Sequence, residues 1–370
     1  MLDTHPTRQD VASRAVACGI KRDTWRIDRA GSLDRLTRRT EALEPPPAGS
    51  ARVAVKAIGL NFADIFACLG LYSATPKGSF IPGLEFSGVV EAVGPAAPGA
   101  DLKSAIRVGE RVAGLTRFGG YTTAINTPLQ FLRPVRTGWD FAQAAAFPVQ
   151  ALTGWYGLVK LGALERNDVV LLQSAAGGVG LNALAILTAI GARTIAAVGS
   201  ESKRLWLSEH RGLPKDRVIV RHRRSFPADL DRALAAIGGK GFDVVFDAVS
   251  GPYFRPAYDR LSPAGRFIVY GAADFMTRGS RANYLHLALG YLRRPRIDPL
   301  QMISDNRSVM GFNLIWLWDR ADQLVAGLDA LDTLITGPPL VGRRFAFADA
   351  HDAMRHLQSG ESIGKVVLEV

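Results

Sequence analysis

Only two cysteines, Cys18 and Cys68, occur in 370 residues. Two thiols exclude a disulfide framework, and they exclude a zinc site built mainly from thiolates. So little cysteine places the chain, as an expectation, in a reducing, cytoplasmic compartment. No uninterrupted apolar run approaches the roughly 18 residues that a membrane span needs. The opening segment MLDTHPTRQD lacks the apolar core of a leader peptide. No membrane partner is therefore expected. Acidic residues are in deficit, with 34 Asp and Glu against 45 Lys and Arg, a net charge of +11. A nucleic-acid surface would gather basic and aromatic side chains on one face. Here the arginines are scattered, with small clusters at Arg221–Arg224 and Arg293–Arg296, and no nucleic-acid partner is expected. A phosphate-bearing cofactor or an acidic carrier protein suits a basic cleft.

What is present is glycine in two textures. Residues 1–22 are polar and aperiodic and read as a flexible tail. From Thr24 to Asn126, short strand-like runs such as ARVAVKAIGLN are punctuated by closely spaced glycines, which points to a compact β-barrel. After Phe141 strand and helix alternate: VVLLQS, RTIAAVGS, RVIV, FDVVFDAV and RFIVYG are separated by helix-length segments. That is the rhythm of a parallel sheet with crossover helices. The expected architecture is α/β. A barrel domain over 23–147 and 299–370 is interrupted by a doubly wound sheet domain over 148–298. Asn306-Arg307-Ser308 matches a glycosylation acceptor, which in a reducing compartment is a chance match.

The most informative stretch is VVLLQSAAGGVGLNALAILTAIGARTIAAVGS. A strand, Val169–Gln173, runs through a glycine-rich turn into a helix. Ala176, Gly177, Gly178, Val179 and Gly180 form the turn where a backbone approaches a pyrophosphate. The free N–H groups of the helix start favour its charge. The position usually held by a first glycine is Ser174. A second strand follows at the spacing the dinucleotide fingerprint requires. Its end chooses the cofactor. NAD-selective sites place an acidic side chain there to hold the ribose 2′-hydroxyl. This chain has Gly199, Ser200, Glu201, Ser202, Lys203. The missing carboxylate removes repulsion of a 2′-phosphate, and Ser200, Lys203 and, after the next strand, Arg221 can donate to it. NADPH is expected, with Glu201 as the dissenting residue.

The ordered runs AIGLNFADIFACLGLY, PGLEFSGVVEAVG, GERVAGL, AAFPVQALTGWYGL, SAAGGVG and GKVVL resemble the zinc-independent medium-chain dehydrogenase/reductases over about residues 24–370. Within them the chain resembles the quinone oxidoreductase branch. DPLQMISDNRSVMGFNL is similar to the vesicle amine transport protein homologues, and AGSLDRL and RGLPKDRVIV to polyketide synthase enoyl reductase domains. The resemblance implies a GroES-like catalytic barrel with an inserted Rossmann domain, and a homodimer. Zinc-dependent relatives carry ligands where this chain has Asn61, Leu84 and Val149, so no metal is expected. His351 and His356 are five apart on a late helix and do not share a face.

The resemblance further implies hydride transfer to a small molecule with a polarised double bond, a quinone or an α,β-unsaturated carbonyl. Charge then develops on the substrate oxygen and must meet a hydrogen-bond donor. It places Asn61 near the nicotinamide, Tyr72 near the substrate, and Asp64 as a catalytic or loop-fixing aspartate. Thr153, Tyr270, Gly271 and Lys365 are placed beside the cofactor. Two alternatives stand. One is an enoyl-thioester reductase serving an acyl carrier protein or coenzyme A. The other is a nucleotide-binding partner protein with little turnover.

Overall fold

The computed structural model describes residues 19–96, 106–277 and 279–370. The tail expected over 1–22 falls mostly outside them. Its last residues, Ile20–Arg22, are strand, because they continue a hairpin set by Trp25 and Ile27. β1 (Ile20–Ile27) pairs antiparallel with β2 (Leu36–Leu43) from Ile20–Leu43 to Ile27–Leu36. Ion pairs from Arg22 and Arg26 to Glu41 run across it. The chain forms two compact units. The first holds the described residues up to Pro148, with Arg343–Arg355 and Val366–Val370.

In the first unit β3 (Ser50–Gly59), α1 (Phe62–Cys68), β4 (Glu85–Val93), β5 (Arg111–Leu115), β6 (Ala124–Pro128), β7 (Leu132–Pro134) and α2 (Phe141–Ala145) follow in order. β3, β4, β5 and β7 are successive neighbours in one antiparallel sheet, and β6 pairs with β3. Val53, Val55, Ile58, Phe86, Val90 and Val112 are buried. Their β-branched and aromatic side chains explain why these short segments become strands.

The second unit holds Val149–Gly342 and His356–Lys365. The chain enters it along α3 (Pro148–Trp155), which passes into a π-helical turn over 156–161. Then come β8 (Val169–Gln173), α4 (Gly178–Ile190), β9 (Arg193–Val198), α5 (Glu201–Arg211), β10 (Val218–Val220), α6 (Phe226–Ala236), β11 (Phe242–Asp247), α7 (Phe254–Tyr258), β12 (Leu261–Val269), α8 (Tyr284–Leu292), α9 (Pro299–Asp305), β13 (Ser308–Gly311) and α10 (Ala321–Leu334). The six strands form a parallel sheet in the order β10-β9-β8-β11-β12-β13. All five residues of β8 are buried, as expected of a central parallel strand. Leu171, Ile195, Val245 and Phe267 pack with Leu230 and Leu234 in one core cluster. Chain order reverses between β8 and β11. In open α/β sheets ligands bind at such a switch point, beyond the carboxyl ends of the strands.

The domain boundary read at residue 299 is displaced. β13 pairs parallel with β12, Arg266 with Ser308 through Val269 with Gly311. One more crossover adds an edge strand to the sheet. A Cβ at Gly327 in α10 would lie 2.6 Å from Leu152, so that helix packs on α3 inside the second unit. The leucine- and arginine-rich stretch before residue 299 is part of that crossover. The last elements are β14 (Val341–Ala346), α11 (Ala350–Ser359) and β15 (Lys365–Glu369). β14 and β15 extend the antiparallel sheet in the order β14-β15-β3. No helix among the described residues is long and apolar enough to cross a membrane.

Candidate active site

β8 ends at Gln173, and Ser174 turns the chain with φ 55. Gly177 caps α4 in extended conformation with no side chain to satisfy the first N–H groups of the helix. Those groups are left for a ligand. The two glycines that follow are needed for different reasons. A Cβ on Gly180 would lie 2.4 Å from the Ser174 carbonyl oxygen and 2.6 Å from the Ala175 backbone, so helix and strand approach too closely for any side chain. A Cβ on Gly178 would lie 2.0 Å from Oε1 of Gln150 instead. Val179 begins the first turn behind them. The Gly364 N–H donates to the Ala176 carbonyl at 2.9 Å, which ties the 363–365 segment to this loop. Lys365 follows directly and is 1% exposed, so the surface role that a lone lysine ordinarily has is ruled out for it. Thr153 on α3 is buried, and its hydroxyl donates to the Val149 carbonyl at 2.7 Å.

At the end of β9 the charges sort themselves. Ser200 caps α5, and its hydroxyl oxygen accepts from the Lys203 N–H at 3.4 Å. Glu201 is held by Arg204, Nε to Oε2 2.8 Å, which keeps its carboxyl below the usual range. In that exposed pair, one turn apart on the helix, the Glu201 carboxylate is already countered by Arg204. Lys203 donates to the Gly360 carbonyl at 2.6 Å. Burial, and then the neighbouring Arg221 guanidinium, pull its ammonium down to about 8. Arg221 donates to the Ala197 carbonyl at 3.1 Å, lies over the Tyr253 ring, and comes within 3.6 Å of where a Gly199 side chain would begin. Two cations on one patch, beside a glycine, form a ready anion site.

At the opposite side of the switch point Asp247 ends β11. Burial pushes its carboxyl up to about 6, against N–H donation from Val249 and Ser250 and the field of Arg221. Ser250 adopts φ 60 and ψ −142, a strained conformation. Its hydroxyl donates to the Gly271 carbonyl at 3.2 Å. Tyr270 stacks on Phe246 with centroids 4.1 Å apart, and burial raises its phenol.

The first unit carries a second polar cluster. Asn61 caps α1 and Asp64 reaches back to accept its N–H at 2.8 Å, a capping box. Asp64 also accepts the Gly83 N–H at 3.2 Å and the Tyr121 hydroxyl at 3.3 Å, and has no exposed surface. Burial and the Asp64 carboxylate hold the Tyr121 phenol high. These contacts make Asp64 an anchor of the loop. Asp64→Ala strands three donors, and it is expected to cost about 3 kcal/mol in urea unfolding. Unchanged stability with lost turnover would contradict that role. The Asn61 amide nitrogen donates to Glu85 Oε1 at 2.9 Å and to the Gly59 carbonyl at 3.3 Å. Both its hydrogens are thereby engaged. Tyr72 is half-buried, and its carbonyl accepts from the Thr75 hydroxyl at 2.7 Å. His351 hydrogen-bonds to the Leu36 carbonyl at 2.9 Å and sits edge-on to Trp25. Among the described residues no three or more His, Cys, Asp or Glu gather as a metal site.

Gln150, Glu85 and Asp247 were not singled out from sequence. Gln150 Oε1 and both amide atoms of Gln173 are buried without a partner among the described residues. Only the run PVQA before LTGW gave a local signal for Gln150. Glu85 and Asp247 owe their roles to contacts distant in sequence.

Residues 47–136 match the family described as alcohol dehydrogenase GroES-like domain, and residues 213–368 the family described as zinc-binding dehydrogenase. A synaptic vesicle membrane protein VAT-1 homolog of Danio rerio is 33% identical over 91% of this chain and 68% of its own. The chain belongs to the medium-chain dehydrogenase/reductase superfamily. In the terms of that superfamily, the first unit carries the GroES-like domain and the second the Rossmann-like parallel sheet. Among other superfamily relatives, a highly-reducing polyketide synthase of Aureobasidium melanogenum is 30% identical over 91% of this chain, but only 14% of its own length. The quinone oxidoreductase of Thermus thermophilus, solved also in complex with NADPH, matches with TM-score 0.72 and 28% identity over 94% of this chain and 100% of that one. The CurK enoyl reductase matches with TM-score 0.76 and 26% identity over 94% and 99%. The zinc-binding match does not include residues 61, 84 or 149.

Proposed function

We propose that this chain is an NADPH-dependent oxidoreductase that reduces quinones or α,β-unsaturated carbonyl compounds without zinc. The observation that carries the cofactor is the convergence of Gly199, Lys203 and Arg221 while Glu201 is bound to Arg204. The uncapped start of α4, the small-residue cradle at Gly177 to Gly180 and the unpartnered Gln150 oxygen fit a dinucleotide. When bound, the nicotinamide supplies the hydride. The chain binds, orients and excludes water. α4 holds the pyrophosphate, Ser200, Lys203 and Arg221 hold the 2′-phosphate, and Thr153, Tyr270, Gly271 and Lys365 orient the nicotinamide half. At positions 61, 84 and 149 the chain has an amide and two alkyl side chains, a poor donor set for zinc.

The Asn61 hydrogens are committed to Glu85 and Gly59, and the Tyr72 hydroxyl is the donor we propose for the substrate oxygen. Tyr72→Phe is expected to lower kcat about 10- to 100-fold with little change in NADPH affinity. An unaltered kcat would make Tyr72 a packing residue. Binding also carries a pH signature. Only the protonated Lys203 attracts a phosphate dianion, and its ammonium titrates near 8. NADPH affinity should hold to about pH 7.5 and fall through pH 8–9, whereas NADH affinity should stay flat. Parallel curves for the two cofactors would contradict the assignment.

The likeness to polyketide synthase and CurK enoyl reductases favours a second reading, an enoyl-thioester reductase whose basic surface meets an acidic carrier or coenzyme A. Turnover of a carrier-bound enoyl thioester, with none of quinones, would select it. NADPH binding with no turnover of any acceptor would select a nucleotide-binding partner protein. A homodimer is proposed for either enzyme, to be checked by light scattering.

A further inference from the structure

Within the second unit α3 lies alongside α4, and a glycine sets how closely. A Cβ on Gly154 would lie 3.2 Å from the Ile186 side chain and 3.6 Å from the Ala183 backbone. One turn earlier on α3, the Gln150 side chain therefore reaches the first residue of α4. Its amide rests on Gly178, with Oε1, Nε2 and Cδ 2.0, 2.3 and 2.4 Å from where a side chain there would begin. Gln150 is 7% exposed, and its Oε1 has no hydrogen-bond partner among the described residues. Thr153, one turn on along the same face of α3, donates its hydroxyl to the Val149 carbonyl. The Gln150 oxygen is thus an acceptor that folding leaves unsatisfied, beside the uncapped start of α4. Gln173 is unpartnered as well, but it has no exposed surface and lies within β8, out of a ligand's reach.

Chemistry decides what the Gln150 oxygen takes. An amide oxygen needs a donor. An ionised pyrophosphate has no hydrogen to give, and it suits the N–H groups of α4 instead. A sugar hydroxyl has one. With the 2′-phosphate at Lys203 and Arg221 and the pyrophosphate on α4, the sugar that continues past Gly178 towards α3 is the ribose that carries the nicotinamide.

We propose that Gln150 is a cofactor-positioning residue whose Oε1 accepts from a hydroxyl of the nicotinamide ribose. The assignment rests on the NADPH reading above. Holding that sugar fixes the ring one bond away, so the hydride donor is in place before the acceptor arrives. The close approach of α3 to α4 at Gly154 is what delivers the amide.

The test is calorimetric titration of the full chain with two fragments. One is 2′-phospho-ADP, which ends at the pyrophosphate. The other is 2′-phospho-ADP-ribose, which adds the second ribose without the nicotinamide. In the wild-type chain the added ribose should tighten binding about tenfold. Gln150→Met fills a similar volume without the amide acceptor. It should lose that tenfold for 2′-phospho-ADP-ribose and for NADPH, bind 2′-phospho-ADP within about twofold of wild type, and keep its Tm. No gain from the ribose in the wild-type chain would overturn the proposal, and that arm needs no variant. So would wild-type affinity of Gln150→Met for both fragments, or an equal loss for both, which would show a packing role. A wild-type chain that binds neither fragment nor NADPH would overturn the cofactor reading itself, and this assignment with it.

Discussion

Replacing Lys203 and Arg221 together by alanine should weaken NADPH about 100-fold and leave NADH within about twofold of wild type. The two side chains are held on backbone carbonyls, Lys203 on Gly360 and Arg221 on Ala197. Little rotamer freedom is then lost on binding. Each charge-assisted contact to a phosphate contributes about 1.5–3 kcal/mol. Both groups are half-buried, so solvent screens part of this, and about 3 kcal/mol for the pair is the sum expected. The singles should share it unequally, with Arg221 the larger because its guanidinium offers two parallel donors. Calorimetric titration with both cofactors measures the effect. Equal losses for NADPH and NADH would place the 2′-phosphate elsewhere. The companion substitution is Glu201→Ala. With its carboxylate already paired to Arg204, it should change the preference little.

The phosphate loop yields the second large effect, and its two glycines should fail differently. Gly180→Ala drives a methyl group into the backbone of Ser174 and Ala175, which cannot swing away. Helix and strand must part, at a cost of about 3 kcal/mol or more, and the protein should unfold well below the wild-type Tm. Gly178→Asp meets the terminal amide of Gln150, the far end of a side chain that can turn. A carboxylate at a helix start is itself favourable. That variant should fold with a near-normal Tm and still fail to bind NADPH, because it sets a negative charge where the pyrophosphate must lie. A folded Gly178→Asp protein with retained affinity would break the assignment of the loop. A fully stable Gly180→Ala protein would break the packing account.

The strand, turn and helix around Ser174–Gly180 are legible in sequence because every constraint there is local: buried aliphatics, glycines and an uncapped helix start. Lys203 and Arg221, proposed for the 2′-phosphate, are legible for the same reason, by their distance from β9. What the sequence hides is set by contacts between distant residues. The contact of the Asn61 amide with Glu85, twenty-four positions away, leaves no local signal. Lys365 has the composition of a surface cation, yet β15 buries it. Residues 299–342 carry a strand and two helices that suit either unit by periodicity. Only the pairing of β13 with β12 assigns them. The hairpin of β1 and β2 likewise extends past the polar residues that mark its beginning as tail.

The most direct test is the initial rate of cofactor consumption by the wild-type chain with simple quinones and enones, run in parallel with NADPH and NADH. The predicted result is consumption of NADPH dependent on the acceptor, with kcat/KM about 100-fold lower for NADH. Equal use of the two cofactors, or no consumption of either with any acceptor, would contradict it.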